Sequence, residues 1–221
     1  MFASRLYAYT SAPEPLSGNG FVICDSGAFG LSQYGRSIDF AHMQKLNRHY
    51  RQYEAGAGFP RVACAPDQYL SPSATMRNWS RWHDAGFCSV APVIQCQKPK
   101  QIDLHSVQLQ INFYMPYEPS FIFFSNPGLR SIEAERQNIK YAFEMIRGAL
   151  KNAWIHVLGA GWDLLDIAAW RKIGPDSIDT IAYYSAAQSG TVWGEAGTSV
   201  AETAIHNARA AIKNTMAQRD E

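Results

Sequence analysis

Short runs of β-branched and aromatic residues alternate with longer segments whose apolar positions recur every three or four residues. The short runs predict strands at residues 5 to 10 (RLYAYT), 21 to 25 (FVICD), 61 to 67 (RVACAPD), 89 to 95 (SVAPVIQ), 121 to 125 (FIFFS), 154 to 159 (WIHVLG) and 177 to 184 (SIDTIAYY). The longer segments predict helices over 38 to 54, 72 to 85, 102 to 114, 131 to 150, 162 to 172 and 198 to 218. Several helix starts carry a cap signature: Ser131 ahead of Glu135, Ser71 followed by Pro72, and Thr198 or Ser199 ahead of Glu202. The helix from Ser131 has the clearest stripe, with Ile132, Ile139, Ala142, Phe143, Ile146 and Leu150 on one face, and the breaks at 54 to 60, 85 to 87 and 172 to 177 contain glycine.

Strands separated by helices of this length need crossover connections, hence a mainly parallel sheet covered on both faces. Two architectures satisfy that requirement, a (β/α) barrel and an open doubly wound sheet. The dinucleotide-binding version of the open sheet places its glycine-rich turn after the first strand, whereas Ser17 to Gly20 (SGNG) precedes one, which favours the barrel. With seven strands visible, the expected fold is a single α/β domain over residues 1 to 221, a (β/α) TIM-type barrel that is incomplete or has an irregular eighth strand.

Composition narrows the function more than the fold. Hydrophobic residues make up 47% of the chain, enough for a sizeable core, and no run of about 18 apolar residues suggests a membrane span. The N-terminal residues lack the apolar core of a signal peptide, so the expectation is a soluble cytoplasmic protein with no membrane partner. Lys and Arg total 20 against 19 acidic residues, a net charge of +1, so any nucleic acid must be met by a local basic patch. Cys24, Cys64, Cys88 and Cys96 lack CxxC spacing and read as reduced core residues. His42, His49, His83, His105 and His206 fall on predicted helices, His156 falls within a strand as a satisfied core residue, and no metal-binding spacing links them.

The candidate chemistry lies at strand ends. Asp25, Asp67, Gln95 and Asn126 stand at or just past the C-terminal ends of four predicted strands, and the Leu-Gly-Ala-Gly turn with Gly159 and Gly161 follows a further one. In a parallel barrel these ends converge on one face. Each residue also has a plainer reading: Asp25 before Ser26 and Gly27 makes an Asx turn, Asp67 caps the helix near Ser71, and Gln95 and Asn126 are loop residues. Together they point to carboxylate chemistry on an organic substrate.

The segment Ile23 to Gly30 (ICDSGAFG) resembles the Asp-Ser-Gly segment of the tRNA-guanine transglycosylase superfamily. Its fourth-place alanine is closest to the shorter DNA-acting 7-deazaguanine transglycosylases of phages and bacteria. Further similarities follow in order: APDQY (65 to 69), PVIQ (92 to 95), IHVLGAGWDLL (155 to 165) and SIDTIAYYS (177 to 185). The resemblance implies replacement of guanine in DNA by a 7-deazaguanine base such as 7-cyano-7-deazaguanine, with no cofactor and with helper proteins as further partners. It implies that Asp179 attacks C1′ to form a covalent glycosyl-aspartate, that Asp25 handles the proton of the incoming base, and that Ser26, Gly27, Asp67, Gln95, Asn126, Gly159 and Gly161 bind substrate. Tyr69, Trp162, Tyr183, Tyr184 and Trp193 would stack on bases, and Lys98, Lys100, Arg130 and Arg171 would meet phosphates. The zinc module of the tRNA-acting members has no counterpart, since no cysteine follows Cys96. Asp179 reaches the working face if its strand ends beside it, whereas an altered register brings Asp176 forward. The alternatives are tRNA exchange, N-glycosidic hydrolysis by the same carboxylates, and a non-catalytic base-binding or nucleic-acid-binding barrel subunit.

Overall fold

The computed structural model describes residues 3–7, 20–56, 61–97, 101–125, 135–159, 169–170 and 172–179, with shorter pieces between 187 and 210. Within them are seven strands, β1 (Ala3–Tyr7), β2 (Gly20–Cys24), β3 (Arg61–Ala63), β4 (Val93–Ile94), β5 (Phe121–Ser125), β6 (Trp154–Leu158) and β7 (Ser177–Ile178). The helices are α1 (Ala28–Gln33), α2 (Phe40–Gly56), α3 (Pro72–Asp84), α4 (Leu104–Tyr114) and α5 (Arg136–Ala149). Mixed α/β architecture with parallel sheets is therefore observed.

Every strand pairing is parallel, in the orders β1-β2-β3 and β4-β5-β6-β7. Cys64, just past β3, forms a parallel bridge with Ala91, two residues before β4. Ala91 N–H donates to Ala63 O at 2.8 Å and Ala65 N–H donates to Ala91 O at 2.9 Å, so the two sheets meet edge to edge in chain order.

Several strands are shorter than the hydrophobic pattern predicts, and proline explains two of them. β3 stops at Ala63 ahead of Pro66, and β4 starts after Pro92, whose ring nitrogen has no hydrogen to donate to a ladder. The Pro92 carbonyl still accepts from Phe123 N–H at 2.9 Å. β7 is described over Ser177–Ile178, and residues 180–186 of the predicted run lie outside the described residues. β1 begins at Ala3, and residues 8–10 are likewise outside.

Both faces of the second sheet are covered, as parallel strands require. Ile94, Ile122, Phe124, Ile155 and Val157 pack with Val107 and Ile111 of α4 and with Ile139, Phe143 and Ile146 of α5. The alternate residues Val93 and Phe123 face the other way and join the core of the first sheet, where Ile23 and Cys24 meet Met43, Leu46 and Tyr50 of α2 and Trp79 and Trp82 of α3.

The helices follow their local signals. Pro72 occupies the first turn of α3 after Ser71, and Gly86 with φ of +63° ends that helix, where its N–H donates to His83 O at 2.9 Å. Asp103 caps α4, its Oδ1 accepting from His105 N–H at 3.0 Å and Ser106 N–H at 3.2 Å. Ser199 Oγ accepts from Glu202 N–H at 3.2 Å, and the Glu202 carboxylate reaches back to Thr198 N–H at 2.7 Å, which is the anticipated reciprocal cap shifted by one residue. α5 begins at Arg136, and Ser131 lies outside the described residues, as do most of 162 to 172 and everything after Ala210. α1 is a helix the periodicity did not predict: six residues are too few to establish a stripe.

All four cysteines are free and buried. Burial pushes the Cys24 and Cys96 thiols up to about 12, leaving them inert packing groups at neutral pH. No helix among the described residues is long and apolar enough to cross a membrane.

Candidate active site

Three carboxylates gather where β2, β3 and β7 end. β2 terminates at Cys24 and delivers Asp25 to the rim. There the chain turns through Gly27, whose φ of 74° is a left-handed conformation that costs a residue with a Cβ about 1 kcal/mol. That turn lets Ser26 Oγ accept from Ala28 N–H at 3.2 Å and start α1. The Ser26 and Gly27 backbone N–H groups act on the Asp25 carboxyl in the direction that favours its ionised form. Burial, and then the charge of Asp179, outweigh them and push that carboxyl up to about 6. Asp25 and Asp179, 154 residues apart in sequence by their numbering, are thus electrostatic neighbours.

Asp67 does not cap α3. Only 5% exposed, it accepts from Ser26 Oγ on Oδ1 and from Gln95 Nε2 on Oδ2. Burial, with the neighbouring charge of Asp25, raises its carboxyl to about 7, although both hydrogen bonds favour the ionised form. Gln95 is held from behind by Gln110 of α4: Gln95 N–H donates to Gln110 Oε1 at 2.8 Å, and Gln110 Nε2 donates to Gln95 O at 2.9 Å. The Gln95 side-chain oxygen is buried and accepts no hydrogen bond. An orphaned acceptor beside a carboxylate able to exist in either protonation state suits a ligand that offers N–H groups.

Asp179 follows β7 directly. Its N–H donates to Val157 O at 3.0 Å, and its Oδ1 accepts from Gly159 N–H at 2.7 Å, which puts the carboxylate at the C-terminal end of β6. Gly159 has a φ of +63°, a left-handed conformation that glycine adopts without strain and that turns the chain after β6. Asp179 thus lies one residue past Ile178, beside the turn that follows β6. Asp176 sits at the opposite end: its Oδ2 accepts from Ile155 N–H at 2.7 Å and pairs with Arg147 at 3.0 Å. Its role is to tie β7 to the start of β6 and to α5.

The sequence did not single out Gln110, Ser177 or Phe29, and it read His156 as a satisfied core residue, whereas the ring is buried with no hydrogen bond to Nε2. Gln110 sits in the buried stripe of α4 with Val107, Ile111 and Tyr114, and a glutamine among those positions was the available signal. His156 is buried 3.5 Å from Asp179 Oδ1, with Ser177 Oγ on its other ring nitrogen at 2.8 Å. Phe29, 58% exposed on α1, packs edge-on against Tyr69 at 5.1 Å, giving an aromatic surface two residues from Gly27 on one side and two from Asp67 on the other.

Ser26, Gly27, Asp25, Asp67 and Gln95 are brought together, and Gly159 joins Asp179. Asn126 and Gly161 lie outside the described residues, as do Trp162, Tyr183, Tyr184, Trp193, Lys98, Lys100, Arg130 and Arg171. Among the described residues no group of three or more His, Cys, Asp or Glu is placed to hold a metal ion. A cleft of about 330 Å³ lined by Gln101, Ile102, Asp103, Leu104, His105 and Asn138 lies at the start of α4 and shares none of these carboxylates. The chain matches no protein-family model and no curated protein.

Proposed function

We propose that the chain is a base-exchanging transglycosylase that replaces guanine in DNA with a 7-deazaguanine base, built on a (β/α) TIM-type barrel. The carrying observation is that Asp25 and Asp179, from opposite ends of the sequence, are close enough for the charge of one to raise the carboxyl of the other. For the barrel, the support is the all-parallel strand order, its continuation across the Cys64 and Ala91 bridge, and the coverage of both sheet faces.

The chemistry divides into two displacements at one carbon. Asp179 attacks C1′ of the target nucleotide, the C1′–N9 bond breaks, and the departing guanine takes a proton from Asp25. The incoming 7-deazaguanine then returns a proton to Asp25 as its nitrogen attacks C1′ and expels Asp179, so configuration is retained. A carboxyl raised to about 6 suits a group that must both give and take a proton near neutrality. Asp67 and the free Gln95 oxygen offer acceptors for the N1–H and amino group of either purine, and Phe29 offers a ring face to a base withdrawn from the stack.

Release of labelled guanine from duplex DNA in the presence of a 7-deazaguanine donor tests the reading. Asp179→Asn should reduce exchange by about 10³-fold or more and abolish the covalent DNA adduct, and Asp25→Asn should also stop turnover. Full exchange by Asp179→Asn would remove the nucleophile assignment. Parallel reactions on tRNA, and without a base donor, separate DNA exchange from tRNA exchange and hydrolysis.

A further inference from the structure

We propose that His156 is a positioning residue that holds Asp179 through Oδ1 and leaves Oδ2 to attack and to carry the glycosyl bond. The inference rests on Asp179 being the nucleophile proposed above.

His156 lies at the centre of β6 with no exposed surface, paired in register with Phe123 on one side and Ser177 on the other. Its ring packs edge-on against Phe123 at 5.5 Å, which restricts rotation of the imidazole. Ser177 Oγ lies 2.8 Å from His156 Nδ1 and accepts from the Trp154 indole N–H at 2.7 Å. An indole nitrogen can only donate, so the serine oxygen is the acceptor in that pair and its own hydrogen is available to the Nδ1 lone pair. An Nδ1 that accepts leaves a ring hydrogen on Nε2, and Nε2 faces Asp179 Oδ1 at 3.5 Å.

That nitrogen is buried and makes no hydrogen bond, so its hydrogen has been withdrawn from water, and the Asp179 carboxylate lies within 3.5 Å of it. A buried donor in this state gains when the facing oxygen moves closer or acquires charge. Gly159 N–H already holds the same Oδ1 at 2.7 Å. Two donors converging on one oxygen select the other for bond formation. Oδ1 becomes the carbonyl oxygen of the glycosyl-aspartate, and the same two donors receive charge again when the second displacement expels the carboxylate. The Trp154, Ser177 and His156 chain thereby sets the tautomer, and the tautomer sets the orientation of Asp179.

The test combines a tautomer measurement with kinetics on the full chain. Long-range 1H–15N correlation of the histidine rings at neutral pH should show His156 with hydrogen on Nε2 and a bare Nδ1, and Ser177→Ala should lose that preference. A ring carrying its hydrogen on Nδ1 in the wild-type protein would overturn the proposal irrespective of activity. In DNA adduct formation, His156→Leu should lower the rate constant by about 10- to 100-fold with the KM for DNA unchanged, and His156→Gln, which restores an N–H near the Nε2 position, should recover most of the loss. Equal rates for wild type and a folded His156→Leu would also overturn it, as would a rate loss that His156→Gln does not restore in folded protein. If the wild-type chain forms no adduct and exchanges no guanine, the transglycosylase reading fails, and the nucleophile role of His156's partner fails with it, whatever tautomer the ring shows.

Discussion

The Asp67 carboxyl is pushed up to about 7 because it is buried beside a second acid, and the two donors that favour its ionised form do not offset this. The sign of the resulting pH dependence follows. Between about pH 4 and about pH 7 the folded chain keeps a proton on Asp67 that the unfolded chain has already lost, so stability falls as pH rises across that window. Asp25 acts in the same direction up to about pH 6. Asp67→Asn removes the ionisation and retains a partner for both neighbours: Ser26 Oγ can donate to the new amide oxygen, and Gln95 can turn its unpartnered oxygen to the new amide hydrogens. Thermal melts should therefore show Asp67→Asn more stable than wild type by about 5–10 °C at pH 8, with the gap closing at pH 4. An unchanged gap at the two pH values would mean that Asp67 is ionised throughout.

At the level of elements, the site depends on where strands stop and how helices start. Asp179 lies one residue past Ile178 of β7, beside Gly159, while α4 presents Gln110 to the backbone of Gln95. α4 is in turn begun by Asp103, which satisfies two of its otherwise unpaired N–H groups. Asp103→Ala should cost about 1 kcal/mol, a fall in melting temperature of about 2–4 °C, and Asp103→Asn should cost much less because the amide oxygen caps equally well. These elements were legible to different degrees. The strands at Phe121–Ser125 and Trp154–Leu158 match the apolar runs closely, because each is buried on both faces and no proline interrupts it. The runs at 61 to 67 and 89 to 95 contain Pro66 and Pro92, and hydrophobicity continues through them while hydrogen bonding does not.

For the molecule as a whole, the joint between β3 and β4 decides whether seven strands act as one body. It consists of one bridge and two backbone hydrogen bonds at Ala65 and Ala91, with buried side chains on either side. If the sheets open as a unit, the amides of Ala65 and Ala91 should be protected from hydrogen exchange to within about tenfold of Phe123 in the second sheet. Much faster exchange at the joint would indicate two sheets that open separately.

The sequence by itself determined the alternation of strands and helices, their parallel pairing, and the placing of Asp25, Asp67 and Gln95 just after apolar runs, because side-chain burial and crossover length are local properties of the chain. It also marked Asp179 as a residue whose standing depended on where one strand stops. Only the tertiary structure decided that Asp179 rather than Asp176 lies beside Gly159 and Asp25, since strand register is set by pairing between distant segments. The same holds for Gln110, Ser177 and His156. Each looks like an ordinary polar residue in its own segment, and each acquires a role from an atom that another element brings within hydrogen-bonding or electrostatic reach.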